Sequence, residues 1–383
     1  MNLTDEVKNR AKALGFCAVG ITGAEPFEEA ETAAATRTAE GLMDGLTWWS
    51  EARVHASADP RRATPDARTV IALAFPYPSA SGNDDQSDDG PRGRIAAYAL
   101  GRDYHEVLLE RMQALLTMLR ERGFTAKTYV DHGWMLDRAA AARAGIGWLG
   151  KNTNLLVPGI GSNVLLAEIV TSAPLQTDAP SKKNCGSCDA CMRACPTGAL
   201  VAPGVLDNRR CISFWTIEHR GVIPLEVRPM IGDWIFGCDL CQEVCPVNAR
   251  PAAPDPNAVA AFGPLIEARP RLEELLTLDE AGFGRRFRDS AVWRTRRSGL
   301  MRNACIALGN IGDRGSVPAL AAVLNDPEPL VRGHAAWALG RLGGAAARAA
   351  LERALSREGD AWVRDECGLA LEACGLLGVP SVV

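Results

Sequence analysis

The sequence predicts an α+β multidomain protein with three parts: an α/β domain over residues 1–175, a cysteine-rich module over 176–260 and helical repeats over 261–383. Three observations support this fold class. Helical and strand patterns alternate in the first part, and eight cysteines concentrate in the second. In the third part, a motif recurs with a period of about thirty residues, which is typical of stacked helical repeats.

Composition narrows the class of protein before any motif is considered. Of the 383 residues, 47% are hydrophobic, and the formal net charge is −4. No global basic field therefore drives nucleic-acid binding, which would need a local patch. No apolar run is long enough to span a bilayer, and residues 1–16 form an amphipathic pattern without the apolar core of a signal peptide. We therefore expect a cytoplasmic protein whose reduced cysteines bind metal.

The first part combines strand and helix signals. Two apolar runs of strand length, Thr69–Phe75 and Asn163–Thr171, are bounded by Pro or Gly. Between them, apolar residues recur at helical spacing, which predicts an amphipathic helix over Asp103–Arg122. This part is expected to be an α/β domain with a mixed or antiparallel sheet.

Two related cysteine runs dominate the second part. The first reads Cys185-x2-Cys188-x2-Cys191-x3-Cys195-Pro, the spacing with which bacterial ferredoxins hold a 4Fe–4S cluster. In that arrangement the cysteine before the proline binds the other cluster of a pair. The second run lacks one cysteine, which the upstream Cys211 can supply. A bacterial ferredoxin-like two-cluster module is predicted, with Cys185, Cys188, Cys191 and Cys245 holding one cluster and Cys195, Cys211, Cys238 and Cys241 the other.

Other uses of these cysteines are less consistent with the pattern. Cys-x2-Cys pairs also occur in zinc knuckles, but zinc does not need two runs that each end in x3-Cys-Pro. A disulfide framework is typical of short secreted chains, which this is not. The remaining cysteines lie among apolar neighbours and are expected to be core residues; they are Cys17, Cys305, Cys367 and Cys374.

The third part is a repeat preceded by a proline-rich linker, Pro251–Pro264. Residues 302–309 match 332–340, and residues 364–371 form a third, weaker copy. Second helices are predicted over Val317–Leu324 and Ala347–Leu355. The pattern indicates HEAT-like helix pairs that bury their apolar faces against each other.

Two further features are candidates for chemistry. Asp131 follows a strand-like segment at the point where a helix is predicted to begin, so it is either a helix N-cap or a catalytic acid. Gly284–Arg302 carries seven arginines and one acid together with two aromatic residues. Such a segment is either a phosphate-binding surface or a solvated helix face.

Taken together, the motifs resemble the epoxyqueuosine reductases, a family of cobalamin-dependent iron–sulfur enzymes of tRNA modification. The matching stretches cover nearly the whole chain and include both cysteine runs and the HEAT-like tail. The others are residues 62–65 (RATP), 101–105 (GRDYH), 130–133 (VDHG), 137–138 (DR), 143–147 (RAGIG), 150–152 (GKN) and 211–214 (CISF).

The resemblance implies an activity and a set of roles. Epoxyqueuosine is reduced to queuosine at the anticodon wobble position of tRNA, the last step of queuosine biosynthesis, by Co(I) cobalamin that two 4Fe–4S clusters supply with electrons. Asp131 matches the catalytic acid, and residues 1–175 match the cobalamin- and substrate-binding domain. The corrinoid-binding positions are Arg62, Asp131, Ser213, Cys238 and Asp239. The repeat tail is implied to bind tRNA, with Arg294, Arg296 and Arg297 as contacts, and the chain to act as a monomer with an external low-potential electron donor.

Three other functions fit part of the pattern. A reductive dehalogenase-like corrinoid reductase shares cobalamin and two clusters, but a HEAT-like tail has no use there. A ferredoxin-type electron carrier whose repeats dock a protein partner, or a nucleic-acid-binding repeat protein with structural clusters, would bind no corrinoid. A visible spectrum that shows corrinoid bands separates the epoxyqueuosine reductases and the dehalogenases from the last two functions.

Overall fold

The computed structural model describes residues 2–78, 90–131, 133–249 and 256–376. The strands, in chain order, are β1 Ala18–Gly23, β2 Thr69–Pro76, β3 Arg94–Ile95, β4 Ala126–Tyr129, β5 Trp148–Leu149, β6 Leu155–Leu156, β7 Val164–Thr171, β8 Leu200–Ala202, β9 Val205–Leu206 and β10 Trp234–Phe236.

The helices, in chain order, are α1 Leu3–Ala13, α2 Glu28–Ala39, α3 Glu51–Ala58, α4 Pro60–Ala63, α5 Tyr104–Glu121, α6 Asp137–Arg143, α7 Ala190–Ala194, α8 Arg228–Ile231, α9 Leu240–Glu243, α10 Pro256–Phe262, α11 Leu272–Leu276, α12 Glu280–Phe287, α13 Arg296–Ile311, α14 Val317–Val323, α15 Pro329–Leu342, α16 Gly344–Leu355 and α17 Ala361–Leu376. A π-helical turn covers Phe214–Glu218. Within the described ranges, no helix has both the length and the apolarity that crossing a bilayer requires.

The chain forms two compact units. The first comprises Met1–Ser79, Ala97–Cys211 and Asp239–Leu265, and the second comprises Ala80–Ala96, Ile212–Cys238 and Ile266–Val383. The segment that separates the two cysteine runs therefore belongs mostly to the second unit. The domain boundaries predicted at residues 175 and 260 follow the sequence motifs, and they remain a prediction.

The first unit is built on an antiparallel sheet of order β1-β2-β7-β4. Both predicted strand segments are confirmed as its central pair, which is in register from Thr69 opposite Thr171 to Pro76 opposite Val164. The predicted helix is α5, with Asp103 as its N-cap. Its apolar stripe is fully buried, and each such side chain contributes about 1.5–3 kcal/mol relative to an exposed one.

Small residues let α6 lie close to this sheet. Ala72 of β2 packs with Ala141 of α6 and with its C-cap residue Ala144 in one buried cluster. Gly20 of β1 is required here, because a Cβ at this position would lie 2.1 Å from the carbonyl oxygen of Ala144. The close approach brings the first turn of α6 to the edge of the sheet where β4 ends.

Part of the predicted linker is a helix. Residues 250–255 lie outside the described ranges, but Pro256–Phe262 forms α10, so the linker prediction is wrong for this stretch. Phe262 is buried, and its ring lies 6.4 Å from that of Tyr77. Proline at the first position of a helix costs no hydrogen bond, because the N–H it removes would have no partner there.

The second unit confirms the repeat. The three sequence copies lie on α13, α15 and α17, and the predicted second helices are α14 and α16. The glycine that ends the first two copies permits close packing: a Cβ at Gly309 would lie 3.1 Å from the Cα of Ala338, and one at Gly340 would lie 2.7 Å from the Cα of Ala370. The repeated motif is therefore a helix-packing motif.

Buried polar side chains of α13 tie the segment between the cysteine runs to the repeats. The Arg302 guanidinium donates to the carbonyl oxygens of Trp215, His219 and Gly221 at 2.7–2.9 Å. Asn303 Nδ2 donates to the carbonyl oxygen of Thr216 at 2.9 Å. Because these groups are buried, their loss would leave backbone carbonyls without donors.

Candidate active site

The two cysteine runs meet inside the first unit. Burial raises the pKa of the Cys191 thiol, and the neighbouring Cys245 and Cys185 groups raise it further. Cys245 belongs to the second run, 54 positions after Cys191 in the sequence. The local fold therefore places a cysteine of the second run beside the first run, as the crosswise assignment of ligands requires.

The last cysteine of the first run has the surroundings of a thiolate ligand. Burial disfavours ionisation of Cys195, but its hydrogen bonds outweigh this effect and lower the pKa of the thiol. The donors include the Thr197 hydroxyl at 3.4 Å and the Ala199 N–H at 3.3 Å. Hydrogen bonds to the charged form favour that form, so Cys195 is prepared for metal binding.

Cys241 has neighbours from both runs. Burial raises its pKa to about 12, and Cys211, Asp239, Cys191 and Cys195 raise it further, in that order. Thiols crowded in this way ionise together only beside a strong positive charge, and cluster iron supplies that charge. The residues present therefore fit iron–sulfur clusters. Cys238, the remaining predicted ligand, belongs to the second unit.

These thiols do not form a mononuclear site. In the described part of the chain, no three His, Cys, Asp or Glu side chains converge on a single ion position. A cubane cluster has a different requirement, because each of its thiolates binds a separate iron atom at its own corner.

Hydrogen bonds hold the second cysteine run against the α/β core of the first unit. Ser162 Oγ donates to Gln242 Oε1 at 2.9 Å, and Asn248 Nδ2 donates to Ser162 Oγ at 2.9 Å. Asn152 Nδ2 donates to the carbonyl oxygen of Cys241 at 3.3 Å. The run is thus fixed on the same body that carries Asp131.

Asp131 is not a helix cap. It lies two residues after β4 in the left-handed region, with a φ of 50°, whereas α6 begins at Asp137 with Leu136 in the N-cap position. The Asp131 side chain is exposed and accepts a hydrogen bond from the Tyr104 hydroxyl. A non-glycine residue held in this conformation often marks a functional position. Of the two sequence-based alternatives, the helix cap is excluded, and the role of catalytic acid remains a prediction.

A pair of acids that sequence reasoning missed lies close to Asp131. Glu168 of β7 is fully buried, and its carboxyl meets that of Asp137. The one signal in the sequence is an acid in the otherwise apolar run over residues 163–171.

The predicted corrinoid positions are divided between the units. Arg62 on α4, Asp131 and Asp239 belong to the first, and Ser213 and Cys238 belong to the second. The Asp239 carboxylate accepts hydrogen bonds from the Ala97 N–H at 2.7 Å and from Gln242 Nε2 at 3.1 Å. Arg62 and Asp131 are exposed, so their side chains are accessible to a ligand, and the corrinoid assignment of all five positions remains a prediction.

His105, which follows Tyr104 on α5, is engaged with the protein. His105 Nδ1 lies 2.7 Å from the Asp103 carboxylate, and the His105 ring stacks on that of Tyr104 at 4.1 Å. The sequence around it also lacks the glycine of the Asp-x-His-x-x-Gly motif with which some corrinoid proteins bind cobalt. These contacts favour a structural role for His105.

The arginine-rich segment is only partly available for phosphates. Arg296 is exposed and Arg294 is half-buried. Arg297 fits the prediction poorly: it is 7% exposed, its guanidinium pairs with Asp326, and its Nε donates to the Leu278 carbonyl oxygen at 2.6 Å. Burial and these hydrogen bonds favour a structural role for Arg297 over phosphate contact.

Arg220, which the sequence did not single out, is an exposed neighbour of Arg296. Partial burial and the Arg296 charge lower its pKa. The neighbouring Glu218 acts in the opposite direction and raises the pKa of Arg220. We name Arg220, Arg294 and Arg296 the basic surface.

Exposed aromatic rings lie beside Asp131. Trp134 and Trp48 are each 47% exposed, and the Arg53 guanidinium lies 5.9 Å and 5.1 Å from their ring centroids. Arg53 Nη2 also donates to the carbonyl oxygen of Gly133 at 2.8 Å, which fixes this group to the Asp131 segment. We name Trp48, Arg53 and Trp134 the aromatic surface.

Family models match three parts of the chain. Residues 58–132 match the model described as "Epoxyqueuosine reductase QueG, DUF1730". Residues 184–248 match a 4Fe-4S double cluster binding domain, and residues 298–372 match HEAT repeats. The first match ends one residue after Asp131, the second contains all eight clustered cysteines, and the third covers the helix pairs.

Whole-chain comparisons point to the same family. An epoxyqueuosine reductase of Bacillus cereus is 37% identical over 97% of both chains, and one of Bacillus subtilis is 36% identical over 94% of this chain and 92% of that protein. The crystal structure of an epoxyqueuosine reductase with an epoxyqueuosine-modified tRNA-Tyr stem loop is similar with a TM-score of 0.90 and 35% identity, covering 97% of this chain and 99% of that one. A second structure, of the epoxyqueuosine reductase from Bacillus subtilis, has its catalytic loop, which is named after an aspartate, swung out of the active site. It is similar with a TM-score of 0.89 and 34% identity, covering 97% of this chain and 98% of that one.

Proposed function

The chain belongs to the epoxyqueuosine reductase family, and we propose that it reduces epoxyqueuosine to queuosine in the anticodon of tRNA with Asp131 as the acid. The meeting of the two cysteine runs carries the proposal, because seven of the eight predicted cluster ligands lie in the unit that holds Asp131. The electrons come from an external low-potential donor, and the chain works as a monomer in the cytoplasm.

Cobalamin is the proposed second cofactor. When bound, reduced cobalt supplies the strong nucleophile that opening of an epoxide needs. Arg62, Asp131 and Asp239 are the residues of the first unit proposed to hold it. Ser213 and Cys238 are the further positions that the family resemblance implies.

The proton comes from the protein. Opening of an epoxide leaves negative charge on its oxygen, and a carboxylic acid at that position removes the charge by protonation. Asp131 has an exposed carboxyl, and its loop is fixed by the Tyr104 hydroxyl on one side and Arg53 on the other. The Bacillus subtilis relative has its catalytic loop swung out of the active site, and an acid carried on a loop, as Asp131 is, agrees with that arrangement.

Two measurements test the function. The visible spectrum of the anaerobically purified protein is expected to contain iron–sulfur and corrinoid bands. Incubation with a reductant and an epoxyqueuosine-containing stem loop is expected to give queuosine, detected by mass spectrometry. Loss of the corrinoid bands with conversion retained would remove cobalamin from the proposal.

The basic surface gives a prediction about tRNA affinity. Replacing Arg294 and Arg296 with Ala is expected to weaken binding and to reduce the slope of log K against log salt by about one for each phosphate that is no longer neutralised. Arg297→Ala is the contrasting variant. It breaks a buried ion pair, so we expect it to destabilise the second unit by about 3–5 kcal/mol without changing the salt slope of the folded protein. An unchanged slope in the double variant would assign the surface to another role.

The aromatic surface gives a separate prediction. Exposed rings beside an arginine are suited to stack on the unpaired bases of an anticodon loop. Base–aromatic stacking contributes about 1–3 kcal/mol per base, so Trp134→Ala is expected to weaken stem-loop binding by about 5- to 150-fold. Trp134→Phe keeps a ring and is expected to restore most of the affinity. Equal affinities for wild type and Trp134→Ala at one salt concentration would contradict the stacking role.

A further inference from the structure

Glu168 is an acid in the middle of the central sheet. It lies on β7, opposite Ala72 of β2 and Tyr129 of β4. Its side chain is 0% exposed, and neither carboxyl oxygen has a hydrogen-bond donor in the described part of the chain. A lone ionised carboxylate at such a place is strongly unfavourable. The Glu168 carboxyl is therefore neutral or shares a proton.

Asp137 is the partner with which a proton can be shared. It is the first residue of α6, and its carboxyl is in hydrogen-bonding contact with that of Glu168. Two ionised carboxylates offer each other no donor, so this contact is stable only when one of them carries a proton. Burial, then the charge and hydrogen bond of Asp137, raise the pKa of Glu168 well above its ordinary value. Burial also raises the pKa of Asp137, whereas the hydrogen bond with Glu168 lowers it. Because Glu168 is fully buried and Asp137 is half-buried, the neutral, proton-carrying form is favoured at Glu168, which makes Glu168 the donor.

Glu168 contacts both ends of the segment that carries Asp131. That segment runs from Tyr129, the last residue of β4, to Asp137, the first residue of α6. Tyr129 is paired with Glu168 in the sheet, and Asp137 is bonded to Glu168 by the shared proton. One buried side chain therefore anchors the loop at its start through the sheet and at its end through a hydrogen bond.

We propose that the proton shared by Asp137 and Glu168 fastens the Asp131 loop to the sheet, which makes both acids positioning residues for the reaction. The inference rests on the proposed role of Asp131. It adds to Asp131 a pair of carboxyl groups that need not contact the substrate. The protonation state of this pair determines whether Asp131 is held in place.

The charges around the pair determine how it responds to pH. Asp131 adds a negative charge that raises the pKa of both acids, and Arg138 on α6 lowers that of Asp137. The cross-strand neighbours of Glu168 carry no charge. They are Ala72 of β2 and Tyr129 of β4, and the buried Tyr129 hydroxyl has no partner among the described residues. When rising pH removes the proton, the pair loses its donor and gains a repelling charge. The loop is therefore fastened at low pH and released at high pH.

Hydrogen–deuterium exchange of the peptide over residues 130–136 tests this in the full-length protein, without reference to activity. After correction for the intrinsic pH dependence of exchange, protection in the wild type is expected to fall as pH rises. Glu168→Gln keeps a donor that cannot ionise, so its protection is expected to stay the same across the pH range. Glu168→Leu keeps the bulk but has no donor, and it is expected to lose protection at every pH by about tenfold or more, as for a lost hydrogen bond to a charged group.

Activity gives the second readout. At high pH, Glu168→Gln is expected to convert bound stem loop at least as fast as wild type, and Glu168→Leu more slowly at every pH. Equal exchange over residues 130–136 in wild type and Glu168→Leu would overturn the inference. If exchange behaves as expected but no variant, wild type included, converts the substrate, the fastening stands and the proposed function fails.

Discussion

Replacing Asp131 with Asn is expected to lower single-turnover conversion of epoxyqueuosine tRNA by about 10²–10⁴, the usual contribution of a general acid. Asn keeps the size of the side chain and can still accept a hydrogen bond from Tyr104. It cannot release a carboxylic acid proton. Because Asp131 caps no helix, the substitution is expected to leave the free energy of unfolding nearly unchanged.

The comparison uses pre-reduced enzyme, so that electron delivery does not limit the rate. Iron content and corrinoid binding are measured for the same preparation and should equal those of wild type. Asp66→Asn is the matched control, since Asp66 is also exposed and accepts a single hydroxyl hydrogen bond, from Thr125 at 2.7 Å. Conversion close to wild type by Asp131→Asn would eliminate Asp131 as the acid and leave Asp137 as the next candidate.

The features that sequence predicted well are those that depend on local spacing. A continuous apolar run such as Thr69–Phe75 can be satisfied only in a buried strand, and it became β2. The effect of Cys245 on the pKa of Cys191 agrees with the rule that the cysteine before proline binds the other cluster, and the full set of cluster ligands remains a prediction. The repeat was recognisable because each of the first two copies ends in the glycine that close helix packing requires.

The features that could not be predicted from the sequence depend on tertiary contacts between residues that are distant in the chain. The arginine-rich segment showed charge density but not direction, and Arg297 turned inward to an acid 29 positions later. Glu168 looked like one acid in an apolar run, and its partner is determined by how closely α6 approaches the sheet. Pro256 looked like part of a linker, although proline at a first helical position is compatible with α10.

Replacing Cys245 with Ser is expected to remove the cluster assigned to Cys185, Cys188 and Cys191, although those residues precede it by more than fifty positions. The reason is the crosswise arrangement, in which the cysteine before the second proline faces the first run. Iron per chain should fall by about half, since one of two four-iron clusters is removed. The EPR spectrum of the reduced protein should lose the coupling between two neighbouring clusters.

Double variants identify which cluster is removed. If Cys185 and Cys245 hold the same cluster, the combined Cys185→Ser and Cys245→Ser variant should contain as much iron as either single variant. Combining Cys211→Ser with Cys245→Ser should instead remove both clusters. Cys17→Ser is the matched control, because the Cys17 thiol donates to the carbonyl oxygen of Ala74 at 3.2 Å and burial raises its pKa to about 12, so it should bind no iron. The crosswise assignment is wrong if iron is additive for Cys185 with Cys245 and not for Cys211 with Cys245.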